Sequence, residues 1–385
     1  MPEFIPVFSL ARQAETVGPA VQAAAARVLA SGRYAQGPEC AAFELEVAAL
    51  LHGAPAPVGA LTCASGTDAL HLALRALGVG PGDVVVTSAF SFFATAGAIL
   101  LAGARPEFVD IEPASFNLDP KALAQALARP LDRAHEGRIA AILPVHLYGE
   151  VADMPKILAL AGARGIPVVE DAAQAIGAER DGRSAGAWGA AGCFSFYPTK
   201  NLGAMGEGGL VTSHDPALLE RLTLLRVHGS RKRYEHEILG WNARMHELQA
   251  AILRAKLPHL EAWNRRRRTI AEIYHEKLRK VAPVTLPGLG AGRVFHQFVV
   301  RVPQRDAVRR FLQERGVGTE VYYPIPLHQQ PALRDYAPPG PLPETERAAR
   351  EALALPMFPE LTDAEVERVA AALAAFFRRP QGAKA

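Results

Sequence analysis

The strongest constraint on this chain is a repeated local pattern. Short runs rich in β-branched and apolar residues are each followed, after a break, by a stretch with helical periodicity. Asp83-Val84-Val85-Val86-Thr87-Ser88 is one such run, and Arg105–Asp110, Ile139–Val145, Ile166–Asp171, Gly192–Tyr197 and Gly209–Ser213 are others. Between them, Thr67–Leu77, Lys121–Ala128 and Asp153–Ala163 place apolar residues at helix spacing. Near-continuous apolar strands must be covered on both faces, and crossover helices between strands make them parallel, so the pattern specifies an α/β domain with a mostly parallel sheet. A long helical pattern starts at Glu247. After the turn Gly288–Gly292 come a strand-like stretch over 294–302 and helices over Asp306–Glu314 and Asp363–Phe377. These make a smaller α+β unit, and the expected division is residues 1–253 and 254–385, consistent with a length of 385 residues.

Composition removes several classes of function. The 42 basic and 39 acidic residues balance to +3, too even for a protein whose main partner is nucleic acid. Cys40, Cys63 and Cys193 are odd in number and widely spaced, giving neither a disulfide framework nor a zinc pattern and pointing to a reducing, cytoplasmic setting. No basic, apolar leader opens the chain, and no stretch approaches the roughly 18 apolar residues of a membrane span. None of the 12 histidines falls in an H-E-x-x-H arrangement, so no metal is expected. Only eight of the 42 basic residues are lysine, which makes the setting of each lysine informative. The run Arg265–Arg268 cannot share one helix face at about 100° per residue and reads as solvated surface.

In open α/β sheets ligands bind beyond the carboxyl ends of the strands. Three clusters lie there. Ala64-Ser65-Gly66-Thr67-Asp68 opens a helix with small residues whose N–H groups and hydroxyls could hold a phosphate, or serve only as an ordinary N-cap. Asp171 puts a carboxylate at the lip of a buried strand, where a helix cap is the alternative. Lys200, in Phe194-Ser195-Phe196-Tyr197-Pro198-Thr199-Lys200-Asn201-Leu202-Gly203, follows an apolar strand. Partial desolvation there would lower its pKa and make the amine a nucleophile. An amine to form a Schiff base, a carboxylate to keep a pyridine nitrogen protonated and a phosphate cradle are the parts of a pyridoxal phosphate site.

At this point the motifs carry a resemblance. Ser31-Gly32-Arg33-Tyr34 with Gly37 and Phe43-Glu44, ASGTDAL from Ala64, SFFATAGAI from Ser91, PVHLYG from Pro144, EDAAQAIGA from Glu170, FSFYPTKNLGAMGEGG from Phe194, NARMHELQAAIL from Asn242, YYPIPLH from Tyr322 and LPMFPELT from Leu355 occur in order through most of the chain. Together they resemble the DegT/DnrJ/EryC1/StrS family of pyridoxal phosphate-dependent sugar aminotransferases. The resemblance implies the fold type I aminotransferase architecture: a large α/β domain with a mostly parallel seven-stranded sheet flanked by helices, and a smaller C-terminal α+β domain. It implies that Lys200 is the Schiff-base lysine and proton shuttle, that Asp171 pairs with the pyridinium nitrogen, and that Gln174 lies against the ring or its hydroxyl. Gly66, Thr67 and Ser195 would hold the phosphate and Phe92 would stack on the ring, although an apolar run also suits a core phenylalanine. Asn242 matches a residue that reaches the phosphate from a neighbouring subunit, which implies a homodimer with shared active sites.

On the substrate side, Arg231 and Tyr234 belong to a basic, aromatic stretch suited to a nucleotide diphosphate, or to a solvated loop. Arg244 could meet a sugar carboxylate or hydroxyl across the dimer, and Tyr323 and His328 match positions of sugar contacts in the family. The activity implied is transfer of an amino group from an amino acid, glutamate first, to a keto-sugar on UDP or dTDP. The segment after Leu248 looks more like members that aminate carbon 3; the alternatives are amination at carbon 4 of a 4-keto-6-deoxy sugar nucleotide and a non-catalytic regulator that keeps the fold. Sugar dehydratase relatives have His in place of the Schiff-base lysine, and Lys200 argues against that chemistry.

Overall fold

The computed structural model describes residues 3–129 and 137–378. Its main sheet uses β1 (Gly59–Cys63), β2 (Val84–Ser88), β3 (Arg105–Val109), β4 (Ile139–Leu143), β5 (Val169–Asp171), β6 (Ala191–Ser195) and β7 (Gly209–Ser213). The spatial order is β3-β2-β4-β5-β6-β7-β1, with β4 and β5 joined by the parallel bridges Ile142–Val168 and Val145–Asp171. Only β7 runs antiparallel, to both β6 and β1, so the sheet is mostly parallel, as expected. Successive side chains alternate between two cores. Val86, Ile142, Phe194 and Leu210 face one, which the helices Pro38–Leu50, Pro120–Ala128 and Met154–Gly162 cover. Val85, Ala141, Cys193 and Val211 face the other, beneath Gly66–Ala76 and Pro216–Arg226. The near-continuous apolar strands thus reflect cover on both faces.

A separate core gathers Ile270, Tyr274, Phe298, Val300, Leu312, Leu353, Val366 and Leu373 around the antiparallel pair Phe298–Arg301 and Ala352–Leu355. Ile5 joins this core from the other end of the chain: its N–H donates to Gly316 O and its carbonyl accepts from Gly318 N, both at 2.8 Å. The expected division between residues 253 and 254 falls inside one helix, Glu247–Lys256. Pro258, in the 3-10 turn Leu257–His259, separates that helix from Leu260–Leu278.

The arginine run differs from expectation. Arg265 is exposed and pairs with Glu261, but Arg267 is only 5% exposed and donates to the carbonyls of Phe295, His296 and Met357. Four consecutive residues at about 100° each span the helix circumference, so a helix packed on one side must bury one of them. Arg267 Nη1 makes all three carbonyl bonds, while Nε is buried with no partner among the described residues.

Candidate active site

Asp171 closes β5 and Ser195 closes β6, while the turn after β1 opens the helix at Gly66, so the carboxyl ends of three strands converge. Asp171 is 5% exposed. Its Oδ2 accepts from Thr95 Oγ1 at 2.8 Å and its Oδ1 from Ala173 N at 3.2 Å. Thr95 has one proton and gives it to the carboxylate, so the 2.8 Å contact with Ser91 Oγ runs from Ser91 to Thr95. Burial raises the pKa of Asp171, and the Thr95 and Ala173 bonds, together with the charge of Lys200, oppose that shift. The neighbouring Glu170 is wholly buried and bonded to His146 Nε2 and to the N–H groups of Gly186, Trp188 and Gly189, at 2.8 to 2.9 Å.

Lys200 sits half-buried in the turn after β6, its N–H bonded to Tyr197 O. Burial lowers its pKa to about 8, and Asp171 pulls the other way. The turn is held from both sides. Asn201 Nδ2 donates to Asn264 Oδ1 and Val294 O, and Lys256 Nζ donates to Gly203 O at 2.8 Å. A Cβ at Gly203 would stand 2.2 Å from Pro198 O, so this turn closes only with glycine.

At Gly66 a Cβ would stand 2.6 Å from Ser195 Cβ, which brings the helix start against the end of β6. Asp68 N bonds Ser65 Oγ and Ala69 N bonds Ser65 O. Among the described residues the N–H groups of Gly66 and Thr67 are left unclaimed, beside the Ser195 hydroxyl. Free N–H groups at the positive end of a helix form an anion seat. Gln174 accepts from Tyr148 N at 2.7 Å and donates to Tyr323 Oη at 3.1 Å. Phe92 is 58% exposed, with its ring centroid 6.2 Å from that of Tyr323, so it is not the core phenylalanine that its apolar run would allow. An anion seat, a softened amine, a buried carboxylate and an open aromatic face match the phosphate, aldehyde, ring nitrogen and ring plane of pyridoxal phosphate.

Residues 16–374 match the model of the DegT/DnrJ/EryC1/StrS aminotransferase family. The chain belongs to that family. As a DegT/DnrJ/EryC1/StrS aminotransferase it uses pyridoxal phosphate. It is 45% identical to the "Pleiotropic regulatory protein" of Geobacillus stearothermophilus, over 97% of this chain and 99% of that one. It is 46% identical to the UDP-N-acetyl-3-dehydro-alpha-D-glucosamine 3-aminotransferase of Acidithiobacillus ferrooxidans, over 89% of this chain and 90% of that one. Among solved structures, S. venezuelae DesV in complex with a ketimine intermediate superposes with a TM-score of 0.92 at 42% identity, covering 98% of this chain and 100% of that chain.

The remaining residues expected from sequence lie elsewhere in this aminotransferase. Arg231 pairs with Glu220 at 2.5 Å and Glu237 at 3.1 Å on a hairpin of Ser230–Lys232 with Glu235–His236. Tyr234, at the tip, is 80% exposed. Asn242 is exposed, and its Oδ1 accepts from Arg244 Nε at 2.9 Å. His328 is buried, with Nε2 3.7 Å from Glu346. None of these is bonded to Asp171 or Lys200. Thr95, Ser91 and Asn201 were not singled out as site residues from sequence, although each falls inside a quoted motif; the missing signal was that Thr95 turns to Asp171, with Ser91 behind it, and that Asn201 ties the lysine turn to Asn264 and His296. Among the described residues no cluster of three His, Cys, Asp or Glu could hold a metal, and no helix is long and apolar enough to cross a membrane.

Proposed function

We propose that this aminotransferase moves an amino group from an amino acid, glutamate first, to carbon 3 of a keto-sugar carried on UDP or dTDP, and works as a cytoplasmic homodimer with shared active sites. The observation that carries the reading is Lys200, its pKa lowered to about 8, set in the field of the buried carboxylate Asp171. Pyridoxal phosphate, when bound, supplies an aldehyde that condenses with amines and a ring that draws electrons from the adjacent carbon. Gly66, Thr67 and Ser195 would hold its phosphate, Asp171 the proton on its ring nitrogen, and Phe92 and Gln174 its ring. With a pKa near 8, a useful fraction of Lys200 is free amine at neutral pH, so Nζ can attack a carbonyl and afterwards accept and return a proton. An arginine could do neither, because it does not deprotonate. The sugar side rests on the UDP-sugar relative, whose name places amination at carbon 3. Shared sites are supported by the exposure of Arg231, Tyr234 and Asn242, none of which bonds to Asp171 or Lys200.

The relative named as a regulator favours a second reading, in which the fold binds cofactor without turnover. One experiment separates the two. Purified protein loaded with pyridoxal phosphate should be yellow, glutamate should bleach the colour, and UDP- or dTDP-linked 3-amino sugars with 2-oxoglutarate should drive the reverse reaction. A colourless protein sinks the enzyme. A yellow protein inert to every amino acid favours the regulator, and turnover of 4-amino sugars alone moves the chemistry to carbon 4.

A further inference from the structure

The helix Gly66–Ala76, whose first N–H groups form the phosphate seat, is fastened at its first turn to Trp241, 173 residues beyond Asp68 in the chain. Ser65 and Asp68 bond each other twice. Asp68 N donates to Ser65 Oγ at 3.1 Å. A carboxylate only accepts, so the 2.9 Å contact between Ser65 Oγ and Asp68 Oδ2 is donated by the hydroxyl. The Ser65 proton is thus committed to Asp68, which leaves the N–H groups of Gly66 and Thr67 to meet an anion. The other carboxylate oxygen, Asp68 Oδ1, accepts at 3.0 Å from Trp241 Nε1, the single side-chain donor of the indole.

Trp241 is itself held on several sides. Its ring stacks on His71, three residues on from Asp68 in the same helix, with centroids 4.1 Å apart and planes at 21°. Its N–H donates to Leu225 O at 3.0 Å and its carbonyl accepts from His228 N at 3.1 Å. The two backbones also meet directly, with Ala64 N donating to Ala243 O at 2.9 Å. A carboxylate in the first turn suits the positive end of a helix, but it repels a second anion bound there. The indole bond therefore fixes where that charge stands when a phosphate arrives. We propose that Trp241 is a positioning residue for the cofactor: through Asp68 it holds the first turn so that Gly66 N and Thr67 N face the phosphate of pyridoxal phosphate. The proposal rests on the assignment of the phosphate to Gly66, Thr67 and Ser195 above. A bond that only docked the two segments would change stability and leave the preference for a phosphate untouched.

The test is titration of apoenzyme, followed by absorbance, with pyridoxal phosphate and with pyridoxal, which offers Lys200 the same aldehyde without the phosphate. The ratio of the two affinities reads the seat alone. Trp241→Phe keeps a ring against His71 and removes the indole donor. It should weaken pyridoxal phosphate about tenfold, the scale of one hydrogen bond to a charged group, and leave pyridoxal unchanged. In an Asp68→Ala background the same change should alter the ratio no further, because the bond is already gone. A second comparison leaves Trp241 intact. Asp68→Asn and Asp68→Ala both remove the charge, but only the amide keeps an oxygen for the indole, so Asp68→Asn should show the higher ratio. An unchanged ratio in Trp241→Phe overturns the proposal, as do an equal loss for both ligands, the same loss with and without Asp68, or equal ratios in the two Asp68 variants. If the wild-type enzyme binds pyridoxal as tightly as pyridoxal phosphate, the phosphate seat itself falls and takes this inference with it.

Discussion

Two regions that the family motifs join are built very differently. At the end of the sheet, Asp171, Lys200, Ser195 and Gly66 come from separate strands and turns, yet each is pinned within one chain by Thr95 and Ala173, Asn201 and Asn264, or a contact too close for a side chain. Along the segment from residue 230 to 244, by contrast, Arg231 pairs with surface glutamates, Tyr234 stands in solvent and the Asn242 side chain bonds to Arg244. The first region is held in place by bonds and close contacts of its own chain. In the second, the described side-chain contacts of Arg231 and Asn242 are with Glu220, Glu237 and Arg244, and none is with Asp171 or Lys200.

The sharpest way to break this contrast is Lys200→Ala. Transamination should fall by about a thousandfold or more, while cofactor is still retained through the phosphate seat, as seen by absorbance after desalting. Mixing and refolding that variant with an Asn242→Ala, Arg244→Ala double variant should regain activity, because one site of the hybrid then carries neither lesion. Full activity in Lys200→Ala removes that residue from the mechanism, and failure to complement removes the sharing of sites.

Asp171→Asn should lower turnover on the order of 100-fold, the scale of a preorganised electrostatic group. It also tests the field on the lysine. Burial lowers the pKa of Lys200 to about 8 and Asp171 raises it, so without the carboxylate charge only the lowering remains. The rate at which apoenzyme captures pyridoxal phosphate should rise with pH around a midpoint near 8 in the wild type and at a lower pH in Asp171→Asn. An unchanged midpoint would mean that the two groups do not interact.

A smaller effect is expected for Thr95→Val, which removes one hydrogen bond to a buried carboxylate and should cost about 1.5 to 3 kcal/mol of stability at neutral pH, measured by urea unfolding. The bond lowers the pKa of Asp171 and so favours the carboxylate. The difference between variant and wild type should therefore be present at neutral pH and vanish as acid protonates Asp171. A difference that persists in acid would mean that Thr95 matters only for packing.

Much of the fold was legible because its determinants are local. The run Asp83–Ser88 announces a strand covered on both faces, and Val84–Ser88 is one, buried at every position. The lysine after β6, the carboxylate that closes β5 and the small residues after β1 could be found because chemistry at strand ends needs particular residue types there. What was not legible depends on rotation and distance. Arg267 looks like its three neighbours in sequence, and only the packing of its helix decides that it alone turns inward. Phe92 could have been core or cleft until Tyr323 was seen beside it. Thr95 and Asn201 lie inside quoted motifs, but nothing in one dimension says that their side chains meet Asp171 and His296.

The sequence by itself pointed to the class of chemistry through motifs in a fixed order, in which a Schiff base would need the lysine and a ring proton would need the acid. The tertiary structure alone decided how those groups are tuned and what faces them. A pKa depends on burial and on charges distant in sequence, and the place of Asp68 beside the phosphate seat depends on an indole 173 residues away.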